Sequence, residues 1–547
     1  MSSDVHRRAQ IRPDWVRLTM PAGTSTRVYA VVACLGIGTA LAVMIAASLT
    51  RASWMGPPMA MPTTGPPLQA LSWRIPLDNM AVALWLAAVA GGIGVAAGLV
   101  AVRRGARPRV GLLVGTAILA VAILTVLPPV GSTDSLDYMA FGRMVVLGHS
   151  PYVMVPWDLK HMRDVVGVSI PWEWGRIPTV YGPVATAEQY VAAMLGGTSP
   201  ARIVFWLKLA NALAFGTVAY TADRLLRSDS AARLRAHLLW TVNPLLIWQL
   251  IAAAHLDVLA AAAGVLGLII AGGWPALPAS SRSPLGRLAG SGRAPLGRLL
   301  AGGALIGFAA DIKITFALFG LGLAWALRRS HGAWLAGTGA MLAVLLPSYA
   351  WFGPPAIAAL VARGNRTTAD NFYQLFGDGQ HSFLMKHIAV IAAVIVIGTA
   401  ILALRHLPGR VTAQPAIYAA LALSTAWLFT WQYQLPSYEA MVVCLLILVP
   451  AFWLDWLVIA RLVAGTVALM PGNPTPLPSH LLSRISTDAL TLAAPIVLTT
   501  ALVAMILLCL ADRRRSRQSS TGAPGAPGVA SAAVPGALAP QSRAATG

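Results

Sequence analysis

The polar stretch GSTDSLDYMAFGRMVVLGHSPY, residues 131–152, directly follows an apolar run and contains groups that could do acid–base chemistry. An ionised carboxylate such as that of Asp134 can take a proton from a hydroxyl group as a general base. Asp137 and Tyr138 follow on the next turn of a segment whose apolar residues have helical spacing, and Arg143 lies further along it. We expect these four side chains to line one groove.

Two of these residues have simpler explanations, which the sequence leaves open. Asp134 follows Ser132 and Thr133, so it could be the N-cap of the helix, an explanation as good as catalysis. Arg143 could equally be an interfacial arginine whose charge reaches towards water.

Ionisable residues also interrupt two apolar segments further along the chain. His255 and Asp257 lie in NPLLIWQLIAAAHLDVL, and Asp311 and Lys313 lie in AADIKIT. Burying such groups is costly, so function is the default hypothesis, with a buried hydrogen-bonded pair as the alternative. Asp311 and Lys313 are two residues apart and point to different helix faces, so they need not pair with each other. Lys313 is a candidate for binding a phosphate.

The elements that must position these residues are membrane helices. Of the 547 residues, 57% are hydrophobic and 11% are charged, and the mean hydropathy is +0.69, which excludes an ordinary soluble domain. The sequence predicts an all-α, polytopic transmembrane helix bundle of about 11 to 14 spans. The clear spans are predicted at residues 28–49, 80–102, 110–130, 201–222, 332–352 and 488–511. Shorter or interrupted spans are predicted at residues 237–253, 256–273, 298–328, 388–404, 415–431 and 439–470.

Basic residues indicate which loops are cytoplasmic. The net charge of +21 is dispersed in short clusters between spans, a pattern that argues against nucleic-acid binding and for cytoplasmic loops. This rule places both termini in the cytoplasm. It makes residues 131–183 an outer loop with interfacial helices. Two further candidate binding residues lie in this loop: Arg176, and Tyr181 of the PTVYGP motif.

The same pattern predicts the domain organisation. We expect a cytoplasmic N-terminal arm at residues 1–27 and a transmembrane catalytic domain at 28–511, within which 274–297 form a cytoplasmic linker. Residues 512–547 are predicted to be a disordered cytoplasmic tail.

The common cofactor motifs are missing from the sequence. No HExxH, CxxC, P-loop or GxGxxG arrangement occurs in the right context. The three cysteines lie in apolar runs, which argues against a disulfide framework or a thiolate metal site. The sequence therefore identifies no metal ligand and no cofactor. It leaves open whether the protein uses a divalent metal ion as a cofactor.

Taken in order, STDSLDYMAFGRMVVLGHSPY, PTVYGP, NPLLIWQLIAAAHLD and GFAADIKIT resemble the C-type (GT-C) polytopic membrane glycosyltransferases, over roughly residues 80–440. More narrowly, the chain resembles the polyprenol-phosphate-mannose-dependent α-1,6-mannosyltransferases of lipomannan assembly, which are glycosyltransferase 87-like. In that family a loop after an early transmembrane helix carries an essential acidic residue, and Asp134 stands in the matching place.

The resemblance implies an enzyme of cell-envelope glycan assembly in the plasma membrane. It would transfer a sugar, with mannose as the expected one, from a polyprenyl-phosphate donor to a glycan or glycolipid acceptor at the outer face. The anomeric centre would be inverted. Asp134 would be the general base, and Lys313, with Arg143 or His255, would stabilise the leaving phosphate. The remaining candidate substrate-binding residues are Asp137, Tyr138, Arg176, Tyr181 and Asp257. The alternative is a transporter or flippase of a lipid-linked sugar.

Overall fold

The computed structural model describes residues 26–50, 75–170, 175–272, 296–362, 367–373, 387–407, 415–469 and 477–521. Nearly all of the predicted N-terminal arm, most of the 274–297 linker and most of the predicted tail lie outside these residues. The predicted domain boundaries therefore stay predictions.

All regular elements of the described residues are helices, which confirms the predicted all-α class. The first ten α-helices are α1 Thr26–Leu49, α2 Leu77–Arg103, α3 Val110–Val126, α4 Asp134–Val146, α5 Pro156–His161, α6 Pro183–Gly196, α7 Pro200–Leu225, α8 Ser230–Ala236, α9 Pro244–Ile247 and α10 Asp257–Gly272. The next ten are α11 Leu296–Ile312, α12 Ala317–Leu327, α13 His331–Phe352, α14 Pro354–Ala362, α15 Ile388–His406, α16 Pro415–Thr430, α17 Glu439–Leu446, α18 Leu454–Leu469, α19 His480–Asp488 and α20 Ala494–Thr521.

Six helices among the described residues are long and apolar enough to cross a membrane. A seventh span results if the bent pair Ser230–Ala252 and Asp257–Gly272, whose axes meet at 113°, crosses as one unit. Shorter apolar helices occupy several of the other predicted spans, including Val110–Val126 and Pro415–Thr430. The predicted polytopic helix bundle is confirmed.

Helices α1 and α2 pack closely because glycine lets their backbones approach. A Cβ atom added to Gly36 would lie 2.4 Å from the carbonyl oxygen of Ala90 and 2.9 Å from Cα of Gly94. Small residues at such contacts are typical of membrane helix pairs, in which close packing replaces the hydrophobic driving force.

Three helix breaks bring the candidate residues out of regular structure. Helix α3 ends at Val126, just before two prolines that cannot continue it. The second break lies between α9 and α10, where residues 248–252 form a π-helical turn and Ala254 adopts a positive φ of 61°. The third lies at Lys313, between α11 and the 3-10 turn Ile314–Phe316 that precedes α12.

Polar side chains of α7 satisfy backbone carbonyl groups at the first two of these breaks. The Lys208 ammonium donates to the carbonyl oxygen of Leu127 at 2.7 Å. The Asn211 amide, one turn later, donates to the carbonyl oxygens of Leu250 at 3.0 Å and His255 at 3.1 Å. Non-helical backbone at membrane depth is tolerated where it is buried in protein and satisfied by groups of this kind.

The helix predicted to follow Asp134 is present as α4, and protein encloses most of this helix. Residues 135–142 and Met144 are buried, and the helix packs against α6 and α7. A Cβ atom added to Gly142 would lie 2.0 Å from the carbonyl oxygen of Gln189 on α6. The helix predicted to lie at the membrane interface is therefore an inner element of the segment between α3 and α7.

The Asn211→Leu substitution should destabilise the protein. It removes both hydrogen bonds to the carbonyl oxygens of Leu250 and His255, and an unsatisfied buried group costs about 1–3 kcal/mol. The matched control is Thr217→Val on the same helix, because the exposed Thr217 hydroxyl bonds only back to Leu213. Thermal unfolding of the purified protein in detergent should show a lower midpoint for Asn211→Leu alone; equal midpoints would contradict the assigned role.

Candidate functional site

Asp134 is the first residue of α4, and its carboxylate faces other candidate residues. Thr133 occupies the N-cap position without a side-chain capping bond, so the N-cap explanation for Asp134 is wrong. The Tyr138 hydroxyl donates to Asp134 Oδ2 at 3.3 Å, and His255 Nε2 lies 3.5 Å from the same oxygen. Asp134 therefore links the first break to the second.

The orientation of His255 is fixed by the backbone of the second break. Its Nδ1 lies 2.6 Å from the carbonyl oxygen of Gln249, which can only accept, so Nδ1 carries a hydrogen atom. Nε2 is then the nitrogen that can exchange a proton with Asp134. Val130 N–H donates to the carbonyl oxygen of Ala252 at 3.0 Å, so the two loops that carry Asp134 and His255 are joined directly.

Tyr138 and Tyr181 form a pair beside Asp134. Their hydroxyl oxygens are 3.0 Å apart, and their rings meet edge to face at 5.2 Å. Burial raises the pKa of both phenols well above the ordinary value. They therefore stay protonated near neutral pH and can donate hydrogen bonds.

Lys313 lies at the third break and pairs with the start of α10. Its ammonium donates to Asp257 Oδ1 at 2.8 Å and lies 3.6 Å from the centre of the Tyr438 ring. The ammonium is also within electrostatic range of the Asp134 carboxylate. His255 and Asp257, two residues apart, thus bind different partners.

The side chains of this cluster differ in their access to solvent. Asp134 exposes 20% of its side chain, against 10% for Lys313, 6% for His255 and 3% for Asp257. Of these four, Asp134 is therefore the group best placed to meet a substrate hydroxyl.

Three predicted site residues either contact residues outside the Asp134 cluster or are buried within their own helix. Arg143 binds Asp164 with two nitrogens, at 2.8 and 3.0 Å, and so holds α4 to the turn at Val165–Ser169. Arg176 is exposed and stacks on the Trp157 ring at 4.5 Å. Asp137 is buried in α4. Substrate roles for these three stay predictions.

Tyr438 contacts the site, although the sequence analysis did not select it. It lies in the 3-10 turn Pro436–Tyr438, just before Glu439, which binds Arg461 of α18 at 3.1 Å. Arg461 also donates to the Gln434 side chain at 2.9 Å, so it binds residues on both sides of the 3-10 turn. The sequence signal for this polar turn was Arg461, because an arginine within an apolar run needs buried partners.

The described residues contain no group of three or more His, Cys, Asp or Glu side chains that could hold a metal ion.

The chain is similar to known mannosyltransferases. It is 28% identical over 217 residues to a probable alpha-(1→6)-mannopyranosyltransferase of Mycolicibacterium smegmatis, a match that covers 37% of this chain and 38% of that protein. It is 28% identical over 149 residues to an alpha-(1→6)-mannopyranosyltransferase of Mycobacterium tuberculosis, covering 27% of this chain and 24% of that protein. It is 26% identical over 135 residues to alpha-(1→6)-mannopyranosyltransferase B of Corynebacterium glutamicum, covering 25% and 22%. The chain thus matches well under half the length of each relative.

No solved structure matches the chain significantly. The sequence profile of one family, described as the alpha-(1→6)-mannopyranosyltransferase N-terminal domain of the MptA/B family, matches residues 33–329. That stretch is more than half of the chain and contains Asp134, Tyr181, His255 and Lys313. The chain therefore belongs to the MptA/B family of alpha-(1→6)-mannopyranosyltransferases.

Proposed function

We propose that the protein transfers mannose from a polyprenyl-phosphate mannose donor to a hydroxyl group of a glycan or glycolipid acceptor at the outer face of the membrane. The observation that carries the proposal is the Asp134 carboxylate, which is partly exposed and contacts both Tyr138 and His255, with the Lys313 ammonium nearby. The names of the relatives support mannose as the sugar.

In the proposed reaction, Asp134 takes the proton of the acceptor hydroxyl. The acceptor oxygen forms a bond to the anomeric carbon of mannose while the bond from that carbon to the phosphate oxygen breaks on the opposite side. This direct displacement inverts the anomeric centre. The proton then passes from Asp134 to Nε2 of His255, because Nδ1 already donates to the carbonyl oxygen of Gln249.

The leaving group is polyprenyl phosphate, and Lys313 would stabilise the negative charge that develops on it. Asp257 and the Tyr438 ring hold the ammonium in place without the donor. A preformed cation needs little rearrangement during the reaction, which is how fixed charges lower a barrier. His255 faces Asp134, so we assign it to the base and not to the phosphate.

The grouping of charges supports a site at the outer face. Arg103 and Arg235 lie in two of the short basic clusters between spans, and they bind Asp455 at 3.4 and 2.8 Å. Arg235 also donates to the carbonyl oxygen of Leu446, at the end of α17. Helix α17 begins next to Tyr438, so this arginine cluster and the candidate site lie at opposite ends of it. The positive-inside rule therefore supports the proposal that the site faces the outer side.

The Asp134→Asn variant should insert and fold but lose transfer by about 10²–10⁴-fold, because it lacks the general base. The assay supplies vesicles with labelled polyprenyl-phosphate mannose and an acceptor glycolipid, and mass spectrometry detects the new glycosidic bond. Asp158→Asn is the matched control, because Asp158 lies in the same loop and accepts a bond from Val155 N–H, which an asparagine oxygen also accepts.

Near-normal turnover by Asp134→Asn would contradict the assignment of the base. If the wild-type protein only moved unchanged donor across the membrane, the protein would be a flippase.

Lys313→Met should stop transfer and also lower stability, because it leaves the buried Asp257 carboxylate without its cation, a loss that typically costs about 3–5 kcal/mol. Adding Asp257→Asn removes the second charge. The double variant should recover most of the lost unfolding temperature but stay inactive. Lys160→Met, at an exposed lysine of the 131–183 loop, is the control. Recovery of transfer by the double variant would show that the pair is structural only.

A further inference from the structure

A second buried carboxylate, that of Asp311, binds the start of α6. Asp311 is fully buried near the end of α11, and its Oδ1 accepts a hydrogen bond from Val184 N–H at 3.2 Å. Helix α6 cannot cap itself from its own sequence, since its N-cap residue is Gly182, which has no side chain. Asp311 therefore caps α6 from another helix.

The backbones of the two segments also touch at this point. Gly182 N–H donates to the carbonyl oxygen of Ile312 at 3.4 Å. A Cβ atom added to Gly182 would lie 1.7 Å from the carbonyl oxygen of Asp311, so only glycine fits here. The start of α6 is thus pressed against the third break of the bundle.

A short chain of contacts leads from this junction to Asp134. Tyr181 precedes Gly182, and its carbonyl oxygen accepts a bond from the Tyr152 hydroxyl at 3.0 Å. The Tyr181 hydroxyl lies 3.0 Å from that of Tyr138, which donates to Asp134 at 3.3 Å. The position of α6 therefore determines where the Tyr181 hydroxyl meets the group that bonds Asp134.

Asp311 and Lys313 serve two sides of the site from one break. Asp311 holds α6, and Lys313, two residues later, binds Asp257 at the start of α10. We propose that Asp311 is a positioning residue: by capping α6 it holds Tyr181 against Tyr138, and so sets the place of the Asp134 carboxylate relative to the Lys313 ammonium. This inference rests on the proposed mannosyl transfer.

A double-mutant cycle between Asp311 and Tyr181 tests the inference, with kcat and KM measured for donor and acceptor. Asp311→Leu should lower kcat by about 10-fold or more and change the donor KM by less than about 2-fold, because misplaced groups slow the chemical step more than binding. In the Tyr181→Phe background the same change should lower kcat by less than about 3-fold, since residues that act through one contact are not additive.

Asp311→Asn keeps the test valid if Asp311→Leu fails to fold. The asparagine oxygen can still accept the Val184 N–H, so this variant should retain most of the wild-type kcat. Loss of transfer by a folded Asp311→Asn protein would overturn the positioning role, because capping needs only an acceptor oxygen. Fully multiplicative losses in the cycle would overturn it too. A wild-type protein that transfers no mannose would refute the proposed function itself, before the cycle is measured.

Discussion

The structure depends on one constraint: backbone that leaves helical geometry inside an apolar bundle must find its hydrogen bonds within the protein. Three helices break near the candidate site, after Val126, around Ala254 and at Lys313. Side chains on α7 satisfy carbonyl groups of the first two breaks, and the third contacts Gly182 through backbone atoms. The broken backbone places ionisable side chains at the ends of helices, where they can meet each other instead of lipid.

This arrangement explains why the ionisable residues of the site belong to different helices. The Asp134 carboxylate comes from the first break, the His255 imidazole from the second and the Lys313 ammonium from the third, and each has a second contact that fixes it. A base and a cation supplied by separate rigid elements can face opposite sides of one sugar. That geometry suits the inverting displacement proposed for a member of the MptA/B family.

Much of this was predictable from the sequence, because it depends on local patterns. Apolar runs predicted the helical class, and the two-residue spacing of Asp311 and Lys313 indicated that they need not pair with each other, as the structure shows. Partners from distant segments were not predictable. The Arg143–Asp164 pair and the Tyr438 ring over Lys313 depend on how helices pack, which periodicity along one segment does not specify. The N-cap explanation for Asp134 was wrong because the helix begins at Asp134 itself, one residue earlier than that explanation needs.

The proposed function requires that a lipid-linked sugar binds between Asp134 and Lys313. This can be tested by a cryo-electron microscopy structure of the Asp134→Asn variant with a short-chain polyprenyl-phosphate mannose. We expect phosphate oxygens within hydrogen-bonding distance of Lys313 Nζ and the anomeric carbon facing position 134. An ordered donor whose phosphate lies elsewhere, for example at the Arg103 and Arg235 cluster, would contradict it.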